Sequence, residues 1–242
     1  MKMNFLKPLI DIILPPRCLG CGKIVETEYS LCADCFQKVS FITKPYCKIC
    51  GLPFENESEI TRHMICPNCL AKKPKTRLNR SAILYNDFAQ HLILGFKFSD
   101  RTDLRKLFAK WLYLAASDII KEGVDMIIPV PLSYQRLIKR RYNQAALMAK
   151  EFSVFTGIEI DFLNLVKIRH TRPQAILKGN ARLKNVKGVY QIKHPHRVKG
   201  KRILLIDDVM TTGATLNECT KVLLKAGALS VDTLTLARVK KD

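Results

Sequence analysis

The chain has 242 residues, 48% hydrophobic and 26% charged, a balance that excludes a disordered or fibrous protein and leaves room for a core domain plus a small module. Its 41 Lys and Arg against 21 Asp and Glu give a formal charge of +20, which favours nucleic acid, anionic membrane surfaces or phosphorylated metabolites as partners. No stretch reaches the roughly 18–20 apolar residues of a membrane-spanning helix.

Residues 1–16 are apolar (Phe5, Leu6, Leu9, Ile10, Ile12, Ile13, Leu14) but carry Lys7 and Asp11, lack a small-residue cleavage site and stop at Pro15-Pro16. They read as a short helix docked on the protein; a weak peripheral membrane contact is the other reading.

Residues 17–72 hold four C-x-x-C pairs: Cys18/Cys21, Cys32/Cys35, Cys47/Cys50 and Cys66/Cys69. Each pair puts two thiolates on one tight turn, and two pairs complete a tetrahedral zinc site. Two closed, structural zincs are expected. They would supply the folding energy of a segment too short and polar for its own core. Grouping 18/21 with 32/35 and 47/50 with 66/69 is the simplest pairing, and an interleaved one stays open. Four pairs argue against a single redox dithiol, and the lack of a signal peptide against disulfides. Cys219 stands apart and reads as a buried small side chain.

Residues 73–80, within the basic run 71–80, read as a linker, and 81–242 as an α/β domain. Strands are expected at 81–85, 125–131, 158–160, 203–206 and 231–236, with helices near 102–120, 143–155 and 213–226. The alternation implies a parallel sheet flanked by helices. Trp111 lies on the apolar stripe of its helix and reads as core.

The run Ile203-Leu204-Leu205-Ile206-Asp207-Asp208-Val209-Met210-Thr211-Thr212-Gly213-Ala214-Thr215 reads as a buried strand ending in two carboxylates, then a turn, then a helix. The amides and hydroxyls of 211–215 suit an anion at a helix N-terminus. Asp207 and Asp208 suit sugar hydroxyls or a metal. A ribose 5-phosphate satisfies both ends. The lysine-bearing pattern of a nucleotide-triphosphate loop is missing. Arg136 and Arg140, four apart after the strand at 125–131, can share one helix face and, with Arg141, grip a doubly charged group such as pyrophosphate.

The 203–215 segment resembles the site for PRPP (5-phosphoribosyl 1-pyrophosphate) in type I phosphoribosyltransferases. With the double cysteine module, the Val130-Pro131-Leu132 turn and the R-x3-R-x-Y-N-Q-A run from Arg136 to Ala145, nearly the whole chain resembles the ComF/GntX family of competence-associated proteins. Arg169, Thr171, Pro173-Gln174, Leu177, Arg182 and Asn185 match the loop between the two halves of the family's sheet; Lys97 and Asp100-Arg101 match its hood side more weakly. Arg141 departs from the family, which usually has Gly there.

The resemblance implies a type I phosphoribosyltransferase-like fold behind a zinc-ribbon module, and a PRPP site with Mg²⁺. In that site Asp207 and Asp208 hold the ribose, Thr211, Thr212, Gly213, Ala214 and Thr215 hold the 5-phosphate, and Arg136, Arg140 and Arg141 hold pyrophosphate. It further implies handling of single-stranded DNA in natural transformation, on the cytoplasmic side or peripherally at the inner membrane face, with a competence helicase as partner. Turnover as a phosphoribosyltransferase is left open, and an active enzyme of nucleotide or cofactor metabolism with no DNA role is the alternative.

Residues 162–206 contain no Asp or Glu. Their cations, among them Lys167, Arg169, Arg172, Lys178, Arg182, Lys184 and Lys187, read equally as a track for a phosphate backbone or as a basic loop closing over PRPP. Tyr190 is the obvious aromatic for base stacking.

Overall fold

The computed structural model describes residues 14–54, 63–169 and 188–240. The predicted N-terminal helix lies outside them, as do Thr171, Arg172, Pro173, Gln174, Leu177, Lys178, Arg182, Lys184, Asn185 and Lys187.

The cysteine module contributes two short helical turns, α1 (Ala33–Phe36) and α2 (Pro67–Ala71). The α/β domain then runs β1 (Asn79–Leu84), α3 (Asp87–Phe98), α4 (Leu104–Ala115), α5 (Ser117–Lys121), β2 (Met126–Pro129), α6 (Tyr134–Arg140) and α7 (Gln144–Thr156). It continues through β3 (Leu165–Lys167), β4 (Tyr190–Ile192), β5 (Arg202–Met210), α8 (Ala214–Lys225) and β6 (Ser230–Arg238). The main sheet has the order β1-β6-β5-β2 and all its pairs are parallel. β3 and β4 form a separate antiparallel pair.

Strand alternation sends side chains to two cores. Leu204, Ile206, Ile127, Leu234 and Leu236 pack with α3, α4 and α7. Ile203, Leu205, Met126, Ile128 and Val231 pack with α8 and the β3–β4 pair. Trp111 is buried in the first core and Cys219 in the second, both as expected.

Several elements differ from the sequence expectations. The helix expected over 102–120 is two, broken at Ala116, whose amide closes the turn onto Leu112 and Tyr113. Residues 158–160 make one parallel bridge, Ile127 to Ile160, rather than a strand. The linker expected at 73–80 is tied down from Arg77 onward: the Arg77 guanidinium grips Asp232, the Leu78 amide donates to that carboxylate at 3.0 Å, and β1 begins at Asn79.

The cysteine module docks on the edge of the sheet. Residues 40–42 bond β1 through Leu84 N to Ser40 O (2.8 Å) and Ile42 N to Ala82 O (3.0 Å). The second ribbon reaches β1 through Asn79 N to Ile49 O (2.8 Å). Gly51 lets that contact happen: at φ +65° a Cβ there would lie 2.5 Å from the Asn79 carbonyl oxygen.

Candidate functional site

The eight paired cysteines form two separate clusters, Cys18, Cys21, Cys32, Cys35 and Cys47, Cys50, Cys66, Cys69, so the sequential grouping holds and the interleaved one does not. Within each, all sulfurs lie within 4.8 Å of one another. Cys21 and Cys32 are 3.7 Å apart and Cys50 and Cys66 3.6 Å. Four sulfurs about 2.3 Å from one tetrahedral zinc stand about 3.8 Å apart, so the clusters fit the metal.

Backbone amides prepare the thiolates. Cys18 Sγ accepts from Gly20 and Cys32, and Cys47 Sγ from Cys66. Burial opposes ionisation of Cys18, yet the amide bonds bring it down to about 6. A hydrogen bond from the Cys50 thiol outweighs burial and brings Cys47 to about 4.

The second site stands on the carboxyl ends of β2 and β5, the edge where open α/β sheets take ligands. β5 does not stop at the carboxylates as expected; its register continues through Asp207 opposite Thr235 to Met210 opposite Arg238. Alternation therefore turns the two acids to opposite faces. Asp207 faces the second core, where Lys167 and Cys219 act on it or are acted on by it. Asp208 faces α3, where Lys97 Nζ meets its Oδ2 at 2.8 Å, both side chains 16% exposed. The regular alternation ends there: Val209 packs on the first core and Met210 on the second.

Burial, with Asp208 beside it, pushes the Asp207 carboxyl up to about 7. The Asp208 amide, donating to Asp207 Oδ1 at 2.8 Å, and the Lys97 and Lys167 ammonium groups pull against that rise. Burial and Asp208 also raise Tyr85.

Thr211, Thr212 and Gly213 form the turn between β5 and α8. Gly213, at φ +72°, is the N-cap of α8, a conformation that side chains resist. Ala214 and Thr215 start the helix, so the amides expected to hold an anion do gather at one N-terminus.

Arg136 and Arg140 both lie on α6, following β2, the strand next to β5. Burial lowers the Arg140 guanidinium while Asp208 and Asp207 raise it, which places it at the acidic pair. Its Nη1 donates to Gln144 Oε1 (3.2 Å) and its guanidinium lies 4.9 Å from the Phe98 ring centroid. Arg141 goes elsewhere. It caps α6 in the left-handed conformation, φ +64°, and its exposed guanidinium pairs with Asp100 at 3.1 Å. That backbone accounts for the glycine expected there, and it removes Arg141 from the group facing the carboxylates.

The rest of the run holds the site together. Tyr142 Oη donates to Phe96 O at 2.7 Å, Asn143 Nδ2 to Val130 O at 3.0 Å, and Asn143 Oδ1 accepts from the Ala145 amide to cap α7. These bonds seat the end of α3, and with it Lys97, against the turn after β2.

Of the expected nucleic-acid track, Lys167 and Arg169 lie among the described residues. Lys167 is half-buried, 5.8 Å from the Tyr190 ring, and faces the crevice; burial and Arg136 bring it down to about 8. Tyr190 is buried and cannot stack on an incoming base. Arg169 is exposed and donates to Gly188 O at 3.0 Å. Arg197, Lys201 and Arg202 pair with Glu159, Asp161 and Asp125, acids supplied from outside the acid-free tract.

The helix carrying Lys97 was not expected from the sequence. Its signals are present: Asn86 accepts from the Ala89 amide as N-cap, and Ala89, Leu92, Ile93 and Phe96 form its buried stripe.

Comparison with known proteins agrees with this arrangement. Residues 9–72 match the double zinc ribbon domain and residues 122–242 the phosphoribosyl transferase domain. The chain is 33% identical to Competence protein F of Haemophilus influenzae over 92% of this chain and 96% of that one. It belongs to the competence protein F family. Competence protein ComFC of Bacillus subtilis is 29% identical, covering 89% and 87% of the two chains. DNA utilization protein YhgH of Escherichia coli K12 is 28% identical, covering 94% and 99%. The family's two parts are the two ends of the present structure, a double zinc ribbon and a phosphoribosyltransferase-type sheet. Among the described residues no helix is long and apolar enough to cross a membrane.

Proposed function

We propose that this ComF-family chain binds PRPP with Mg²⁺ on the carboxyl edge of its sheet and serves DNA handling during natural transformation. The observation that carries the reading is the convergence of Asp207 and Asp208 on β5, the Thr211–Thr215 turn and the Arg136/Arg140 pair of α6 on one crevice. Carboxylates for a diol, a helix N-terminus for a phosphate and arginines for a pyrophosphate match the three parts of one ligand. Magnesium bound with the ligand beside Asp207 and Asp208 would supply charge neutralisation there.

In this reading a nucleophile on the acceptor forms a bond to C1 as the C1–O bond to pyrophosphate breaks; Arg136 and Arg140 neutralise the departing pyrophosphate and the acids hold the sugar in line, a contribution of positioning and electrostatics. The names of the relatives, competence and DNA utilization, support the DNA role, with single-stranded DNA as the partner. The charge of +20 supports it too, although fewer cations of the 162–206 tract are available than composition suggests. A cytoplasmic place of action is part of the same proposal.

Calorimetry tests the PRPP claim. PRPP with Mg²⁺ should give heat that Asp207→Ala combined with Asp208→Ala abolishes; a silent wild type sinks it. Pyrophosphate release measured with and without single-stranded DNA separates a binding protein from an enzyme, and release independent of DNA favours the metabolic alternative.

A further inference from the structure

A cleft of about 690 Å³ lies between the second zinc ribbon and the outer side of the phosphate turn. Its walls come from three places far apart in sequence: Asn68 within the last cysteine pair and Lys72 just after it, Asn79 and Arg238 at the ends of β1 and β6, and Asn217 in the first turn of α8. Thr211, Thr212 and Gly213 close it on the side of the crevice. We propose that this cleft is a nucleotide site, taking a base and its phosphate either from a free mononucleotide or from the end of a DNA strand. The inference goes beyond the PRPP reading and does not require PRPP to bind.

The chemistry of the walls selects this class. No Asp or Glu lines the cleft, whereas Lys72 and Arg238 do, so a phosphate meets cationic side chains there and no carboxylate. Two carboxamides, Asn68 and Asn217, offer paired donors and acceptors, the groups that read the edge of a base, while the Asn79 Oδ1 is held by Thr233. Leu52, Leu216 and Met210 add apolar surface for its face. The volume falls within the range of about 300–1,000 Å³ typical of small-ligand sites.

The thiolates do not spoil the field. Three cysteines of the second cluster, Cys50, Cys66 and Cys69, line the cleft, and the net negative charge of a zinc with four thiolates is offset by Lys72 together with Arg238, whose guanidinium donates to the Cys50 carbonyl and lies 3.9 Å from Cys50 Sγ. Lys72, exposed at the mouth, can then meet the phosphate of the ligand.

The test titrates the full zinc-loaded chain with dAMP, dGMP and adenosine, then repeats it with Lys72→Glu combined with Asn68→Asp. Both positions are exposed and neither ligates zinc, so zinc content and PRPP affinity should be unchanged. The mononucleotides should bind the wild type, adenosine more weakly, and the double variant should lose at least tenfold in affinity. A wild type that binds no mononucleotide overturns the proposal. So does equal binding by the variant, since the nucleotide would then sit in the PRPP crevice. Because PRPP is titrated separately, failure of that reading leaves this result legible. Linear and circular single-stranded DNA then assign the source. Displacement of dAMP by linear strands alone marks a strand end, and displacement by neither marks the free nucleotide; both support the site. Equal displacement by circular DNA overturns the end-specific source and the cleft with it.

Discussion

Lys97 Nζ sits 2.8 Å from Asp208 Oδ2, which joins the end of α3 to the strand that carries both site carboxylates. The pair is largely buried, so neither charge is compensated by water alone. In Lys97→Met the buried carboxylate loses its partner, and stability should fall by up to about 3 kcal/mol, measured by denaturant unfolding. Lys97 also opposes the rise of Asp207, so the same variant should move the pH midpoint of PRPP binding upward. An unchanged midpoint would show that Lys97 is only a packing element.

Asp207, pushed up to about 7, predicts a pH dependence near neutrality. PRPP with Mg²⁺ should bind more tightly as pH rises through about 7 and the carboxyl loses its proton; calorimetry at several pH values reads this. Stability moves the other way. A carboxyl that holds its proton more tightly when folded favours the folded state at low pH and loses that advantage as pH climbs from the ordinary carboxylate range to about 7. Asp207→Asn should flatten both profiles.

Arg141 and Arg140 should part company. Arg141→Gly relieves a left-handed residue worth roughly 1–2 kcal/mol of strain and gives up an exposed ion pair worth about 0–1 kcal/mol, so the protein should gain slightly in stability. PRPP affinity should stay the same. Arg140→Ala should cost at least tenfold in affinity, and equal losses in the two variants would put Arg141 back in the site.

Zinc removal should be separable by cluster. Cys21→Ser and Cys66→Ser should each lower the metal content from about two zincs per chain to about one, by elemental analysis. Cys66→Ser should also weaken PRPP binding, because Arg238 links the second ribbon to the strand paired with Met210. The same affinity in both variants would break that link.

The metal module was legible because its signal is local: two thiols three residues apart define a knuckle whatever surrounds it. The PRPP-type turn was legible for the same reason, since strand, acids, turn and helix follow one another in the chain. What sequence could not supply was direction. Nothing in Asp207-Asp208 says that the strand runs on to Met210 and turns the two acids to opposite faces. Arg141 looks like a third member of the arginine group until its backbone twists it toward Asp100. Lys167 looks like surface charge until β3 folds it over Tyr190. The Lys97 helix was missed although its cap and stripe are present, because its acceptor lies 111 residues away on β5, outside any local window.

β1 has one partner within the main sheet, β6, and the cross-strand bond from Ser81 to Thr235 spans 154 residues. Both ribbons hang on β1. As the chain leaves the ribosome, the cysteine clusters can therefore take up metal long before β6, the strand that holds β1 in the sheet, exists. β6, Ser230 to Arg238, follows the ribbons by more than 150 residues and locks an already folded knuckle to the sheet, so deleting β6 should release a metal-loaded but undocked module.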